Sequence, residues 1–208
     1  MKIIQPVADL RFPKSPTTAH EIIQLVEEAG RACYLSDDKI TDDSWKSFIW
    51  ARIDEGHDSV IEHSMMTFMF ITDRGIANEL VRHRIASFSQ ESTRYVNYKN
   101  RDIEVVCPSG IQQGTPAYYA WMDSISSDLT VYNRLVESGV KPQNARSVLP
   151  LCLKTKIYMT ANLREWRHVF KLRTSKAAHP DMRLLMADAL AKTKDMFPVI
   201  FDDINPSM

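Results

Sequence analysis

The chain has 208 residues, with 26 Lys+Arg balanced by 26 Asp+Glu, so its formal net charge is zero. A neutral chain has no global field to draw it to nucleic acid or an anionic membrane, which excludes charge-driven binders of either. The length suits a single domain, 1–208, with a substantial core; no run approaches membrane-spanning length and no signal-peptide core opens the chain.

Ile3, Ile4 and Val7 within Met1–Ala8 predict a first strand. Thr18 and Glu21 have capping-box spacing, opening a helix with Ile22, Ile23, Val26 and Ala29 on one face. A second helix is predicted from Thr41, with Trp45, Phe48, Ile49 and Ile53 inward and Gly56 as its stop. The stretch Gly56–His63 (G-H-D-S-V-I-E-H) mixes histidines with acids, but its spacing fits no H-E-x-x-H metal pattern. It reads as a hydrogen-bonded polar turn, with no metal expected. Ser64–Thr72 predicts a buried strand. A helix from about Asp73 then sets Glu79 and Arg82 one turn apart.

The most informative stretch is Arg82–Tyr95, R-H-R-I-A-S-F-S-Q-E-S-T-R-Y. Guanidinium forks, hydroxyls and loop amides are the donors that a phosphorylated ligand needs. Gln90 and Glu91 add groups able to read a base or sugar edge. A competing account makes Arg82–Arg84 charges that offset a helix C-terminal dipole. Ser92 and Arg94, following a polar loop, favour a site.

Further on, Arg101–Ser109 predicts a strand ending at Pro108. Thr115-Pro116 is a helix start, and Tyr118, Trp121, Met122, Ile125, Leu129, Tyr132 and Leu135 recur at helical spacing until Gly139. That helix reads as scaffold or subunit interface. Lys141-Pro142 begins a short helix reaching Arg146, and Lys154–Thr160 predicts another strand. Asn162 is an N-cap for a helix bearing Arg164 and His168 on one face, with Trp166 and Phe170 on another. On those residues alone it is equally an ordinary amphipathic helix with a charged outer face. Arg173 lies five residues past His168, about 140° round the helix, and so serves a different ligand or pocket from Arg164. Pro180 opens the last helix, and Phe197-Pro198 closes the ordered chain.

Arg82-His83-Arg84, seven residues and then Ser92 resemble the R-H-R-x7-S signature of the flavin-dependent thymidylate synthases. The chain also resembles the family at Gly56, His57, Ser59, Glu62 and His63 (G-H-x-[ST]-x-x-E-H) and at Ala145, Arg146, Leu149 and Pro150 (A-R-x-x-L-P). Asn162, Arg164, His168 and Leu172-Arg173 match a fourth element. The resemblance implies an α+β fold, a mixed α/β single domain with a mainly antiparallel sheet flanked by helices, assembled as a homotetramer with shared active sites. It implies FAD as cofactor, with NADPH and methylene-tetrahydrofolate as co-substrates in reductive methylation of dUMP to dTMP. By resemblance, dUMP is bound by Glu79, Arg82, Gln90, Glu91, Ser92, Thr93, Arg94, Arg146 and Arg173. FAD is bound by Ser59, Arg82, His83, Arg84, Gln90, Asn162, Arg164 and His168, while His57 and Glu62 lie in the flavin and folate pocket. Arg173 is the catalytic residue, contacting the uracil ring and favouring its ionised form, where a guanidinium stabilises developing negative charge. The family's histidine four residues past this arginine is Ala177 here; His179 comes two later and is given no flavin role.

Cys33, Cys107 and Cys152 are scattered with no C-x-x-C, so a reduced, cytoplasmic setting is expected. Cys152 sits between leucines without a neighbouring base, which argues against a thiolate nucleophile. Other readings stay open: a dUMP hydroxymethylase using the same residues, a cysteine-dependent flavin-free synthase, and a non-catalytic nucleotide- or RNA-binding module. Zero net charge and the lack of aromatic-rich basic motifs weigh against RNA.

Overall fold

Proline and the hydrophobic pattern divide the N-terminus into two strands where one was expected. The structure, a computed structural model, describes residues 1–99 and 101–207. β1 (Lys2–Ile4) pairs in parallel with β5 (Glu104–Val106), in the register Ile3 opposite Val105. Pro6 offers no amide donor to continue that ladder. β2 (Val7–Phe12) joins a different sheet, mainly antiparallel, of order β2-β3-β6-β4, with β3 at Met66–Asp73, β4 at Ser87–Gln90 and β6 at Lys154–Ala161. In β3, Met66, Phe68, Met69, Phe70 and Thr72 are all buried, so its pattern is a near-continuous apolar run. Ser87–Gln90 was expected to be loop. Its serines face water while Phe88 and Gln90 are half-buried, the alternation of a strand at a sheet edge.

Among the described residues seven α-helices form, most of them started by a local cap. α1 (Pro16–Ala32) is capped by Ser15, whose Oγ accepts from Thr18 N–H at 3.2 Å; the expected start at Thr18 is three residues late. Pro16 at the first turn has the backbone angle a helix requires and lacks only an amide no helix bond would use. α2 (Ser44–Asp54) begins after Thr41, whose amide donates to Ser44 Oγ, and it buries Trp45, Ile49 and Ile53. Between these helices a buried Glu27 accepts from Arg31 Nε and Ser44 Oγ, both at 2.7 Å. A Cβ on Gly30 would lie 2.7 Å from the Phe48 ring, which only glycine avoids.

α3 (Arg74–Leu80) is capped by Asp73 and stops at Val81, so Arg82–Arg84 lie beyond its last turn. α4 (Pro116–Glu137) starts at the Thr115 cap and ends before Gly139, whose φ of +89° is open chiefly to glycine. α5 (Pro142–Ala145) runs into a 3-10 turn, Arg146–Val148. α6 (Leu163–Arg173) is capped by Asn162 as expected, and α7 (Pro180–Met196) by His179. Among the described residues, no helix is long and apolar enough to cross a membrane.

The contacts divide the chain into two compact units. One comprises Met1–Val7, Ile71–Arg82 and Ser89–Ile157; the other Ala8–Phe70, His83–Phe88 and Tyr158–Met208. The first packs Tyr98, Ile103, Val105, Ile125, Tyr132, Ala145 and Leu153 together, with Tyr98 N–H donating to Tyr132 Oη at 3.1 Å. The second is built on aromatic rings. Trp166 lies 5.3 Å from Phe68 and 5.4 Å from Phe170, and Phe170 lies 5.7 Å from Phe201. Such pairs contribute about 0.5–1.5 kcal/mol each beyond the area they bury.

Order does not end at Pro198, contrary to the sequence expectation. Ile200, Phe201 and Ile204 are buried, and Ser207 N–H donates to Thr174 O at 3.0 Å. Arg167, 3% exposed, forms a fork to Asp203: Nη1 to Oδ1 at 2.6 Å and Nη2 to Oδ2 at 2.8 Å. Burial would raise the Asp203 carboxyl, but the hydrogen bonds and charge of Arg167, with Lys171 beside it, hold it below its usual 3.8. Asp203→Ala is expected to cost about 3 kcal/mol, because it strands a buried guanidinium; denaturant midpoints measure this. A depressed folded value means the contribution is intact above pH 3.8 and lost as pH falls through the lower folded value. Asp203→Ala should therefore lose less stability over that acid range than the parent.

Candidate active site

In the second unit, α6 sets the site residues by its own geometry. The Asn162 side chain accepts from Glu165 N–H at 2.9 Å, which fixes the helix start. Arg164 then points outward and pairs with Glu62, both side chains about half exposed. An exposed pair contributes about 0–1 kcal/mol, so it yields readily to an anionic ligand. Glu62, Ile85, Asn162, Arg164, Glu165 and His168 together line a cleft of about 400 Å³. Three of the expected flavin residues and one expected flavin/folate residue thus share one depression.

Two further expected residues of this unit, His57 and Ser59, lie on the 3-10 turn Asp58–Glu62 and its flank. Val60 and Ile61 anchor the turn while Ser59 stays exposed. His57 is exposed too, with Nδ1 3.5 Å from Tyr34 Oη and 3.4 Å from Glu55 Oε2. The polar-turn reading of this stretch is what the backbone shows.

His83 departs from its exposed neighbours. Arg82 and Arg84 are exposed while His83 is buried, its Nε2 accepting from Arg173 Nε at 3.0 Å and its Nδ1 3.5 Å from Glu165 Oε1. The His168 ring stands edge-on at 5.9 Å. Burial, then the charges of Arg173 and His168, push His83 down to about 4, so it is neutral at physiological pH. Burial raises the Glu165 carboxyl, against the pull of His168. Nitrogens of His83 and His168 and an oxygen of Glu165 fall within 4.8 Å of one another, a donor set some divalent metals accept. Here Arg173 already occupies His83 Nε2, and a guanidinium in contact opposes a cation.

In the first unit, buried Thr93 accepts at Oγ1 from Arg146 Nη1 at 3.2 Å, joining two expected dUMP residues. Ser92 Oγ accepts from Arg94 N–H at 3.2 Å, making a turn that leaves Arg94 exposed over the Tyr95 ring. Gln90 donates to Thr155 Oγ1 at 3.3 Å. The Glu91 carboxylate is engaged internally by Tyr98 Oη at 2.9 Å and Lys154 Nζ at 3.2 Å. Burial, then Glu91, push the Tyr98 phenol up. Glu79 is half-buried on α3, and its carbonyl accepts from Arg82 N–H at 3.3 Å.

Sequence reasoning missed Glu165, Arg167 and Lys154. All three are charged residues on elements it located, and nothing local marks which of them turns inward. His179, left without a role, caps α7, its Nδ1 accepting from Asp181 N–H at 3.2 Å. Burial pushes the Cys152 thiol up to about 11.

The family model described as "Thymidylate synthase complementing protein" matches residues 17–199. A flavin-dependent thymidylate synthase of Geobacter sulfurreducens is 35% identical over 185 residues, 86% of this chain and 80% of its own. The one from Mycolicibacterium vanbaalenii is 35% identical over 224 residues, covering 96% and 88%, and that from Pyrococcus furiosus 30% over 197, covering 92% and 81%. In fold, the chain resembles the crystal structure of a UMP/dUMP methylase, PolB, from Streptomyces cacaoi bound with 5-Br dUMP. The TM-score is 0.81 at 22% identity, covering 97% of this chain and 96% of that one. With the signature residues carried on this α+β frame and relatives matching over most of their length, the chain belongs to the thymidylate synthase complementing family, that of the flavin-dependent thymidylate synthases.

Proposed function

We propose that this protein methylates dUMP to dTMP reductively, with FAD as cofactor, methylene-tetrahydrofolate as carbon donor and NADPH as reductant. It acts as a cytoplasmic homotetramer with shared active sites and without a cysteine nucleophile. The observation that carries this reading is the half-buried Arg173 held at Nε by a neutral, buried His83. A guanidinium so oriented is a fixed positive charge, suited to a pyrimidine ring that gains negative charge as it reacts.

The cleft residues fit a flavin nucleotide. Arg164 and His168 offer donors to anionic or carbonyl oxygens, and Ile85, 69% exposed, offers an apolar face to a planar ring. Asn162, Arg164 and His168 would hold the cofactor there, with Ser59, His83, Arg84, Arg82 and Gln90 as further contacts and His57 and Glu62 toward the folate. When bound, FAD supplies hydride chemistry.

On the nucleotide, Arg82, Arg94 and Arg146 bind phosphate oxygens, with Ser92 and Thr93 as hydroxyl partners. Gln90, Glu79 and Arg173 address the sugar and base. Glu91 supports from behind, since its carboxylate is committed to Tyr98 and Lys154. A thiol as hard to ionise as that of Cys152 is a poor nucleophile, which supports a route without an enzyme–pyrimidine adduct.

The purified protein should be yellow, oxidise NADPH faster when dUMP is added, and release a product with the mass of dTMP when folate is present. A hydroxymethylated product would assign the alternative chemistry, and a protein colourless after FAD addition with no affinity for dUMP would sink both. Arg173→Ala should keep its flavin and lose about 10²–10³-fold in kcat. Arg82→Ala is expected to weaken dUMP binding about 10-fold or more, and Arg84→Ala to weaken FAD retention comparably. Calorimetry and flavin release check the two affinities. Cys152→Ala should turn over like the parent.

A further inference from the structure

Glu165 has no part in the proposed chemistry, yet it is 8% exposed and lines the cleft. Carboxylates are rarely buried unless something inside needs them. Its Oε1 lies 3.5 Å from His83 Nδ1, and His83, itself 5% exposed, accepts at Nε2 from Arg173 Nε at 3.0 Å. Carboxylate, imidazole and guanidinium thus stand in a row within one unit, the second pair hydrogen-bonded and the first 3.5 Å apart.

The donor inventory fixes the protons in that row. Arg173 Nε is only a donor, so the His83 Nε2 it meets must be the bare nitrogen. His83 is neutral and keeps one N–H, which therefore sits on Nδ1, facing Glu165. The opposite tautomer would set N–H against N–H at Arg173 and a lone pair against the carboxylate, two repulsive contacts. An aliphatic residue at 165 would remove the second penalty and leave a single contact, that with Arg173, to specify the tautomer.

We propose that Glu165 is a positioning residue: it fixes the His83 tautomer whose bare Nε2 holds Arg173 Nε, and so sets the plane of the Arg173 guanidinium. The proposal rests on Arg173 acting at the pyrimidine. Glu165 reaches the reaction through His83 and contacts no substrate.

The test compares E165L and E165Q holoenzymes with the parent. E165L should lose about 10–100-fold in kcat, the scale for removing an outer partner that orients a working group, with flavin content and the KM for dUMP little changed. E165Q retains an oxygen that can accept from Nδ1–H, and so should recover most of the turnover. Solid-state ¹⁵N NMR of histidine-labelled holoenzyme, with His83 assigned by loss of its signal in H83Q, should show protonated Nδ1 and bare Nε2 in the parent and a mixture in E165L. Parental kcat in E165L, or a lowered kcat with an unchanged tautomer, would overturn the proposal. If E165L does not fold, the parental spectrum still decides, because a bare Nδ1 excludes the arrangement. A parent with no dUMP-dependent turnover would instead defeat the functional reading, leaving the tautomer measurement standing.

Discussion

The seating of Trp166 is the constraint on which the rest of the site depends. Its ring is fully buried against Phe68 and Phe170, and its Nε1–H donates to Met66 O at 3.0 Å. An indole buries a large apolar area and still satisfies its one donor, so it pins both the position and the rotation of α6 against β3. Once that rotation is set, helical geometry dictates the remainder. Arg164 and His168 are exposed on the cleft side, Glu165 is buried at the cleft wall and Arg167 turns into the protein, the last two each meeting a partner far along the chain.

The same logic governs Arg82-His83-Arg84. Three such residues in a row cannot all be buried, because an unpaired internal charge is prohibitively costly. The fold buries the one member that can be neutral and leaves both guanidiniums in water. A motif that looks uniformly cationic in sequence therefore works as two kinds of group. Arg82 and Arg84 are available to anions, whereas His83 is an internal acceptor for Arg173.

What the sequence revealed was whatever is encoded within a few residues. Thr115-Pro116 and Gly139 bound α4, Asn162 starts α6, and the apolar run of β3 announces burial, because caps, breakers and periodicity are local physics. Errors arose where the deciding partner is remote. Ser87–Gln90 becomes a strand through pairing with β6, which no alternation among four polar-rich residues could announce. The residues after Pro198 look like a tail until Arg167, thirty-odd positions earlier, is known to turn inward. Of the candidate site, the residue types and the cleft-lining set of Asn162, Arg164 and His168 were legible by resemblance. The burial of His83 and the engagement of Glu91 with Lys154 were not, since both are set by contacts across the fold.

The fork between Arg167 and Asp203 also orders events in time. α6 precedes Asp203 in the chain, and until the residues after Pro198 dock, the inner face of that helix carries a cation with no counter-charge. Full docking of α6 is therefore coupled to docking of the C-terminal residues, since burying Arg167 without Asp203 would strand its guanidinium. The helix that bears Arg173 is completed by residues translated after it.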